Sequence, residues 1–226
     1  MHKRYFVTGT DTEIGKTTIA SGLLCAARRK GLTTAAAKPV AVGCERTVDG
    51  LRNEDALALQ AQCAPPLAYE LINPVALEAA IAPHIAASEE GAELSVELLA
   101  DGCQRVFAGK ADFTLVEGAG GWRVPLNPDQ TLADLARELN VPVIMVVGMR
   151  LGCINHALLT AEAIAADGLQ LAGWVANQVD PYMSRPAENL ATLKKLLKAP
   201  YLGAVPWLEE ASAERVADHL DIAPLV

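Results

Sequence analysis

Unbroken apolar runs alternate with amphipathic stretches along the 226-residue chain, and this rhythm predicts strands alternating with helices. Tyr5-Phe6-Val7 reads as a first strand, and residues 17–29, apolar at helical spacing, as the helix after it. Gly31 marks the stop of that helix; residues 33–37 read as a second strand, broken by Pro39. Residues 43–53, with Gly43, Asp49, Gly50 and Asn53, read as a loop before a helix over about 54–62. Pro65, Pro66, Pro74 and Pro83 predict irregular chain as far as Ser88. Residues 94–107 form a helix with Leu94, Leu98, Leu99, Cys103 and Val106 on one face. Strands follow at 112–117, 141–147, 171–176 and 202–205, and helices at 131–139, 155–166, 186–197 and 212–220. Strands joined by helices pair in parallel through right-handed crossovers. The expected fold class is therefore α/β: a doubly wound, mainly parallel sheet of P-loop type with helices on both faces, in one domain over residues 1–226.

Composition narrows the function classes. Half of the chain is apolar and only 4% aromatic, which favours alanine-rich helices packed on a sheet over a β-sandwich. A net charge of −8 with scattered Lys and Arg argues against a nucleic-acid surface. Five cysteines without a close pair suggest neither a disulfide framework nor a zinc site, and fit reduced thiols in the cytoplasm. The start Met1-His2-Lys3-Arg4-Tyr5 enters a strand without a signal-type segment, and the apolar run 141–149, interrupted by Pro142, is too short to cross a bilayer, so no membrane partner is expected.

Chemistry concentrates at predicted strand ends. Val7-Thr8-Gly9-Thr10-Asp11-Thr12-Glu13-Ile14-Gly15-Lys16-Thr17-Thr18 lies between a strand and a helix, as a phosphate-binding loop does. Lys16 would supply the point charge between β- and γ-phosphates, and Thr17 a hydroxyl for the accompanying Mg²⁺. Gly9 and Gly15 enclose five residues where the common pattern has four, and an ordinary helix start in a surface loop would also supply Gly15-Lys16-Thr17. Lys38 is fixed between a strand end and Pro39, although most lysines are simply solvated. Glu117 closes an apolar strand where phosphate-loop proteins place a second metal-directed carboxylate. Asp55 is either a further metal ligand or an acid favoured at a helix N-terminus. Leu151-Gly152-Cys153-Ile154-Asn155-His156 reads equally as a site or as a strand-to-helix turn with Asn155 as the N-cap and Cys153 as packing. His84 and His156 have no visible partners for a metal role, and Trp207 flanks a base or packs in the core.

Taken together, these strings resemble the dethiobiotin synthetase family over nearly the whole chain. The phosphate loop has that family's extra residue, and it is followed in order by Lys38-Pro39-Val40, Gly50-Leu51-Arg52-Asn53 with Asp55, Pro83-His84, Val116-Glu117-Gly118-Ala119-Gly120-Gly121-Trp122, Leu151 through Ala157, Ala172-Gly173-Trp174-Val175-Ala176-Asn177 and Pro206-Trp207-Leu208. The resemblance implies a homodimeric ligase using ATP and Mg²⁺, with 7,8-diaminopelargonate and carbon dioxide as substrates and active sites at the subunit interface. By similarity, Lys16, Lys38, Thr12 and Glu13 surround the reacting centre. Glu13, Ile14, Gly15, Lys16, Thr17, Thr18, Asp55, Glu117, Gly118, Ala119 and Gly120 bind the nucleotide, with Thr17, Asp55 and Glu117 as Mg²⁺ ligands. Asn177 reads the adenine, with Pro206, Trp207 and Leu208 beside the base and Gln178 also binding the nucleotide, while Val42, Gly152, Cys153 and Asn155 join Lys38 at the substrate. Val42 departs from the family's usual serine, and one neutral hydrogen bond fewer weakens binding by about 0.5–1.5 kcal/mol. The alternative is a nucleotide-switched partition or positioning ATPase; such proteins carry an extra lysine where this chain has Asp11.

Overall fold

Apolar runs without alternation need cover on both faces, and here they obtain it in a central parallel sheet. The computed structural model describes residues 2–226; Met1, part of the sequence start considered above, lies outside them. The chain runs β1 (Lys3–Gly9), α1 (Lys16–Arg29), β2 (Thr34–Ala37), β3 (Val40–Ala41), β4 (Glu45–Thr47), β5 (Gly50–Arg52), α2 (Glu54–Gln60), α3 (Tyr69–Ile72), β6 (Val75–Ala76) and α4 (Pro83–Glu90). It continues through α5 (Val96–Ala108), β7 (Phe113–Glu117), α6 (Leu132–Leu139), β8 (Val143–Met149), α7 (Cys153–Ala166), β9 (Leu171–Gln178), α8 (Pro186–Leu196), β10 (Tyr201–Val205) and α9 (Ala213–Ala217), and closes with a 3-10 turn at Ala223–Leu225. Six strands form one sheet in the order β10-β9-β8-β1-β7-β2, with every neighbouring pair parallel.

Side-chain alternation sorts the two faces. Ile144, Val146 and Val175 pack with α1 and α9 in one core, whereas Val143 joins α5 and α6, and Met145, Val147, Trp174 and Ala176 join α7 and α8 on the opposite face. Register then places the chemistry. Ala37 pairs with Val116, so Lys38 and Glu117 come next to each other at the same rim. Gly9 pairs with Val146, and Gly148 with Asn177, which brings the loop after β1 to the ends of β8 and β9.

Several expectations need correction. Residues 43–53 are not a plain loop: Glu45–Thr47 and Gly50–Arg52 pair as an antiparallel hairpin. The proline-rich stretch to Ser88 holds α3, β6 and α4, because Pro83 occupies the first turn of α4, where a missing N–H costs nothing. The helix predicted over 212–220 shortens to Ala213–Ala217, with Ser212 as its N-cap accepting from Arg215 N. Asn155 is not an N-cap: Gly152, at φ 95°, starts α7 three residues earlier.

Candidate active site

At the rim, the chain after Gly9 turns back on itself and enters α1 through two left-handed residues, Glu13 at φ 56° and Gly15 at φ 76°. Gly15 is the N-cap of α1 and supplies no side-chain acceptor, so the first-turn N–H groups stay available to an anion. A β-carbon on Gly15 would lie 2.3 Å from Asn177 Nδ2. That amide donates to Ile14 O at 2.9 Å, so the end of β9 braces the loop from below. On its outer side Asp11 accepts from Thr12 N at 2.8 Å and pairs with Arg150, at the end of β8.

The charged centre sits beneath this loop. Lys38, 4% exposed, donates to Glu117 Oε1 at 2.6 Å, to Asp55 Oδ2 at 3.0 Å and to Gly118 O at 3.4 Å. Glu117 is 1% exposed and also accepts from Thr17 Oγ1 at 2.7 Å, while its Oε2 is buried with no hydrogen-bond partner. Lys16 is buried too, with Nζ 3.5 Å from Asp11 O. Burial, reinforced by Lys38, pulls the Lys16 ammonium down to about 8, against the attraction of Glu117, Asp55 and Asp11. Burial opposes the charge on Lys38 as well, but Glu117 and Asp55 outweigh it and leave that pKa raised. For Asp55, burial pushes the carboxyl up, and the Lys38 charge with hydrogen bonds from Lys38 and Thr17 brings it below its usual value. Two cations and two anions thus share one cluster, drawn from α1, α2, the end of β7 and the residue after β2, with Asp55 half-exposed at its edge.

Supporting side chains hold this arrangement. Asn53 caps α2 by accepting from Ala56 N at 3.2 Å, which orients Asp55, and its Nδ2 donates to Val42 O at 3.1 Å. Tyr69 OH accepts from Asn53 N at 2.8 Å and donates to Asn73 Oδ1 at 3.0 Å; Asn73 Nδ2 in turn donates to Lys38 O at 2.8 Å. Sequence reasoning did not give Asn53, Tyr69, Asn73 or Arg150 such roles. Asn53 had a readable signal, an N-cap residue before two acids. Arg150 had none, since its partner lies 139 residues away.

A cleft of about 330 Å³ opens over the centre. It gathers Thr12, Glu13, Ile14, Gly15, Lys16, Thr17, Thr18, Lys38, Val42, Asp55, Ala119 and Gly120, with Asn53 added. Glu117, Gly118 and Asn177 do not line it but are hydrogen-bonded to lining residues Thr17, Lys38 and Ile14. Gln178 and Pro206 are not brought there: they line a separate hollow of about 350 Å³ with Met149 and Ala176, on the α8 side of the sheet. Trp207 is exposed, and Leu208 packs against the α1 core. Gly152 and Asn155 are exposed outside the cleft, while Cys153 is buried in the α7 core. His84 Nδ1 is buried without a partner and His156 is exposed. No group of three His, Cys, Asp or Glu side chains able to hold a metal occurs among the described residues, so a cation here would rest on a mixed set of hydroxyl, carboxylate and ligand oxygens. The unpartnered Glu117 Oε2 and the Thr17 hydroxyl fit such a hard cation.

Comparison with known proteins agrees on fold and chemistry. The family model described as an AAA domain matches residues 3–215. A protein of Pseudomonas paraeruginosa named ATP-dependent dethiobiotin synthetase BioD is 66% identical over 221 residues, covering 98% of this chain and 97% of that protein. Proteins of the same name from Cellvibrio japonicus and Pseudescherichia vulneris are 62% and 51% identical, covering 99% and 100% of this chain and 98% and 94% of their own lengths. Among solved structures, a ParA family ATPase from Chlorobium tepidum matches with TM-score 0.56 at 14% identity, over 99% of this chain and 92% of that one. The signal recognition particle receptor FtsY from Elizabethkingia anophelis, in complex with GDP, matches with TM-score 0.57 at 15% identity, over 96% of this chain and 63% of that one. At such identities the two structures speak for the fold alone. No helix among the described residues is long and apolar enough to cross a membrane.

Proposed function

The chain belongs to the ATP-dependent dethiobiotin synthetases, ligases of biotin biosynthesis, and from that premise we infer that the cleft between the phosphate loop and Glu117 is its active site. The observation that carries this reading is the cluster Lys16, Thr17, Lys38, Asp55 and Glu117, assembled from distant segments under a glycine-shaped anion cradle. The reaction joins 7,8-diaminopelargonate and carbon dioxide. One amine takes up carbon dioxide as a carbamate, whose oxygen attacks the γ-phosphorus of ATP. The neighbouring amine then attacks the carbamate carbon, closes the cyclic urea and expels phosphate. A carbamate is a poor electrophile, and phosphorylation turns its oxygen into a leaving group.

The residues divide that work by charge. The α1 N-terminus and Lys16 hold the triphosphate; Glu13, Ile14, Gly15 and Thr18 shape the cradle, with Gly118, Ala119 and Gly120 closing its far wall. Lys38 holds the carbamate against the γ-phosphate, so that two anions approach without repelling each other, and Thr12 and Glu13 flank the reacting atoms. Thr17, Asp55 and Glu117 would hold Mg²⁺, which when bound neutralises charge on the phosphates. Asn177 takes the adenine; its side-chain oxygen has no protein donor among the described residues. Gln178 and Pro206 line the separate hollow on the α8 side and not the cleft. Val42 lies along the substrate without the family's hydroxyl.

The chain acts as a single domain in the cytoplasm and as a homodimer. Gly152, Cys153 and Asn155 receive the substrate's carboxylate tail from the partner's active site, which accounts for their place outside the cleft. Phosphate release from Mg-ATP tests the reading: it requires bicarbonate and the diamine together. Full-rate release without the diamine would overturn it.

A further inference from the structure

Lys38 has no free donor. An ammonium makes three hydrogen bonds, and here Glu117 Oε1, Asp55 Oδ2 and Gly118 O take all three. It cannot grip a carbamate without giving up at least one of them. Nor can it simply swing away, because Glu117, 1% exposed, would then keep a buried charge with no cation hydrogen-bonded to it. The two carboxylates that occupy the lysine are the same two that the reading above gives to the metal. Glu117 Oε2 stays unpartnered next to them, an acceptor that the lysine does not use.

We propose that Lys38 is the resident counter-cation of the metal site, and that it surrenders Asp55 and Glu117 to a divalent cation and only then becomes free to hold the carbamate. The proposal rests on Thr17, Asp55 and Glu117 being the metal ligands. Its consequence is an order of events. Metal loading precedes productive capture of the carbamate, and without a metal the lysine stays locked to protein oxygens. Exchange keeps a cation bound to Asp55 and Glu117 at each stage, which departure of Lys38 alone would not do.

Binding of Mn²⁺ to the nucleotide-free protein, read from the loss of the free-ion electron paramagnetic resonance signal, tests this. Lys38→Met removes the competitor and keeps its apolar stem, so Mn²⁺ affinity rises about tenfold or more, a modest share of what a unit charge at contact distance commands in a protein site. Lys16→Met removes an equal charge that makes no hydrogen bond to either carboxylate, and it raises affinity far less. Equal gains in the two variants, or none in Lys38→Met, would overturn the exchange. Glu117→Gln tests the premise separately: Mn²⁺ binding undiminished in that variant refutes the metal assignment itself. A measurement on the unaltered protein avoids any folding defect. Reductive methylation of Lys38, followed by mass spectrometry, accelerates severalfold at saturating Mg²⁺; an unchanged rate contradicts the proposal.

Discussion

Helices α1 and α7 each spring from the C-terminal end of a central parallel strand, each has 14 residues, and each is capped by a left-handed glycine without a side-chain acceptor. Their surroundings differ sharply. Ten residues of α1 are buried, against Cys153, Ala157 and Ile164 in α7. A β-carbon on Gly15 would strike Asn177, whereas one on Gly152 would meet nothing within 4 Å. Beside Gly152, Leu151 is 93% exposed, and Leu159 on α7 is 56% exposed. The same strand-to-helix turn is therefore finished within the chain at the phosphate end and left open and apolar at the other. The first turn is finished by its own chain; the second leaves exposed apolar side chains, a surface of the kind the proposed homodimer would use.

Substitutions at matched positions separate the two ends. Gly15→Ala adds a clash to a left-handed strain and shifts the cradle, so phosphate release falls about 100-fold, the scale of a small misplacement near reacting atoms. Lys16→Met should stabilise the nucleotide-free protein. The lysine is depressed from 10.5 to about 8 chiefly by burial, which corresponds to on the order of 3 kcal/mol. That penalty on the folded state is full below pH about 8, shrinks as the folded form sheds its proton, and is gone above about 10.5, where both states are neutral. Denaturant melts should thus show the variant ahead at pH 7 and level with the parent at high pH; a constant advantage would mean that charge is not its origin. Leu159→Glu on the open helix should convert dimer to monomer in sedimentation and raise KM for the diamine about tenfold, leaving ATP affinity unchanged. Gly152→Ala has the smallest effect, about 1–2 kcal/mol of left-handed strain without a clash, and an activity loss as large as that of Gly15→Ala would erase the contrast.

Legibility in the sequence followed the same divide. The apolar run Phe113–Glu117 ends in a carboxylate, and Lys38 precedes a proline, so the residue pattern alone assigns both to strand ends. Their mutual hydrogen bond is not legible in that pattern, because it depends on β2 pairing with β7 in one register among several. The hairpin of β4 and β5 was hidden since its residues are mostly exposed and carry no apolar alternation. Asn155 looked like an N-cap by type, but the left-handed freedom of Gly152 starts the helix earlier. Gln178 follows Asn177 directly in sequence, but alternation along β9 sends the two side chains to opposite faces.

Phosphate release by Lys38→Ala, measured beside its far-ultraviolet circular dichroism, goes most directly to the claim that separate segments build one centre around a triphosphate. With the spectrum of the parent retained, turnover should fall about a thousandfold or more, as when a positioned cation is taken from a phosphoryl-transfer site. A folded variant that still releases phosphate at near the parental rate would contradict the account.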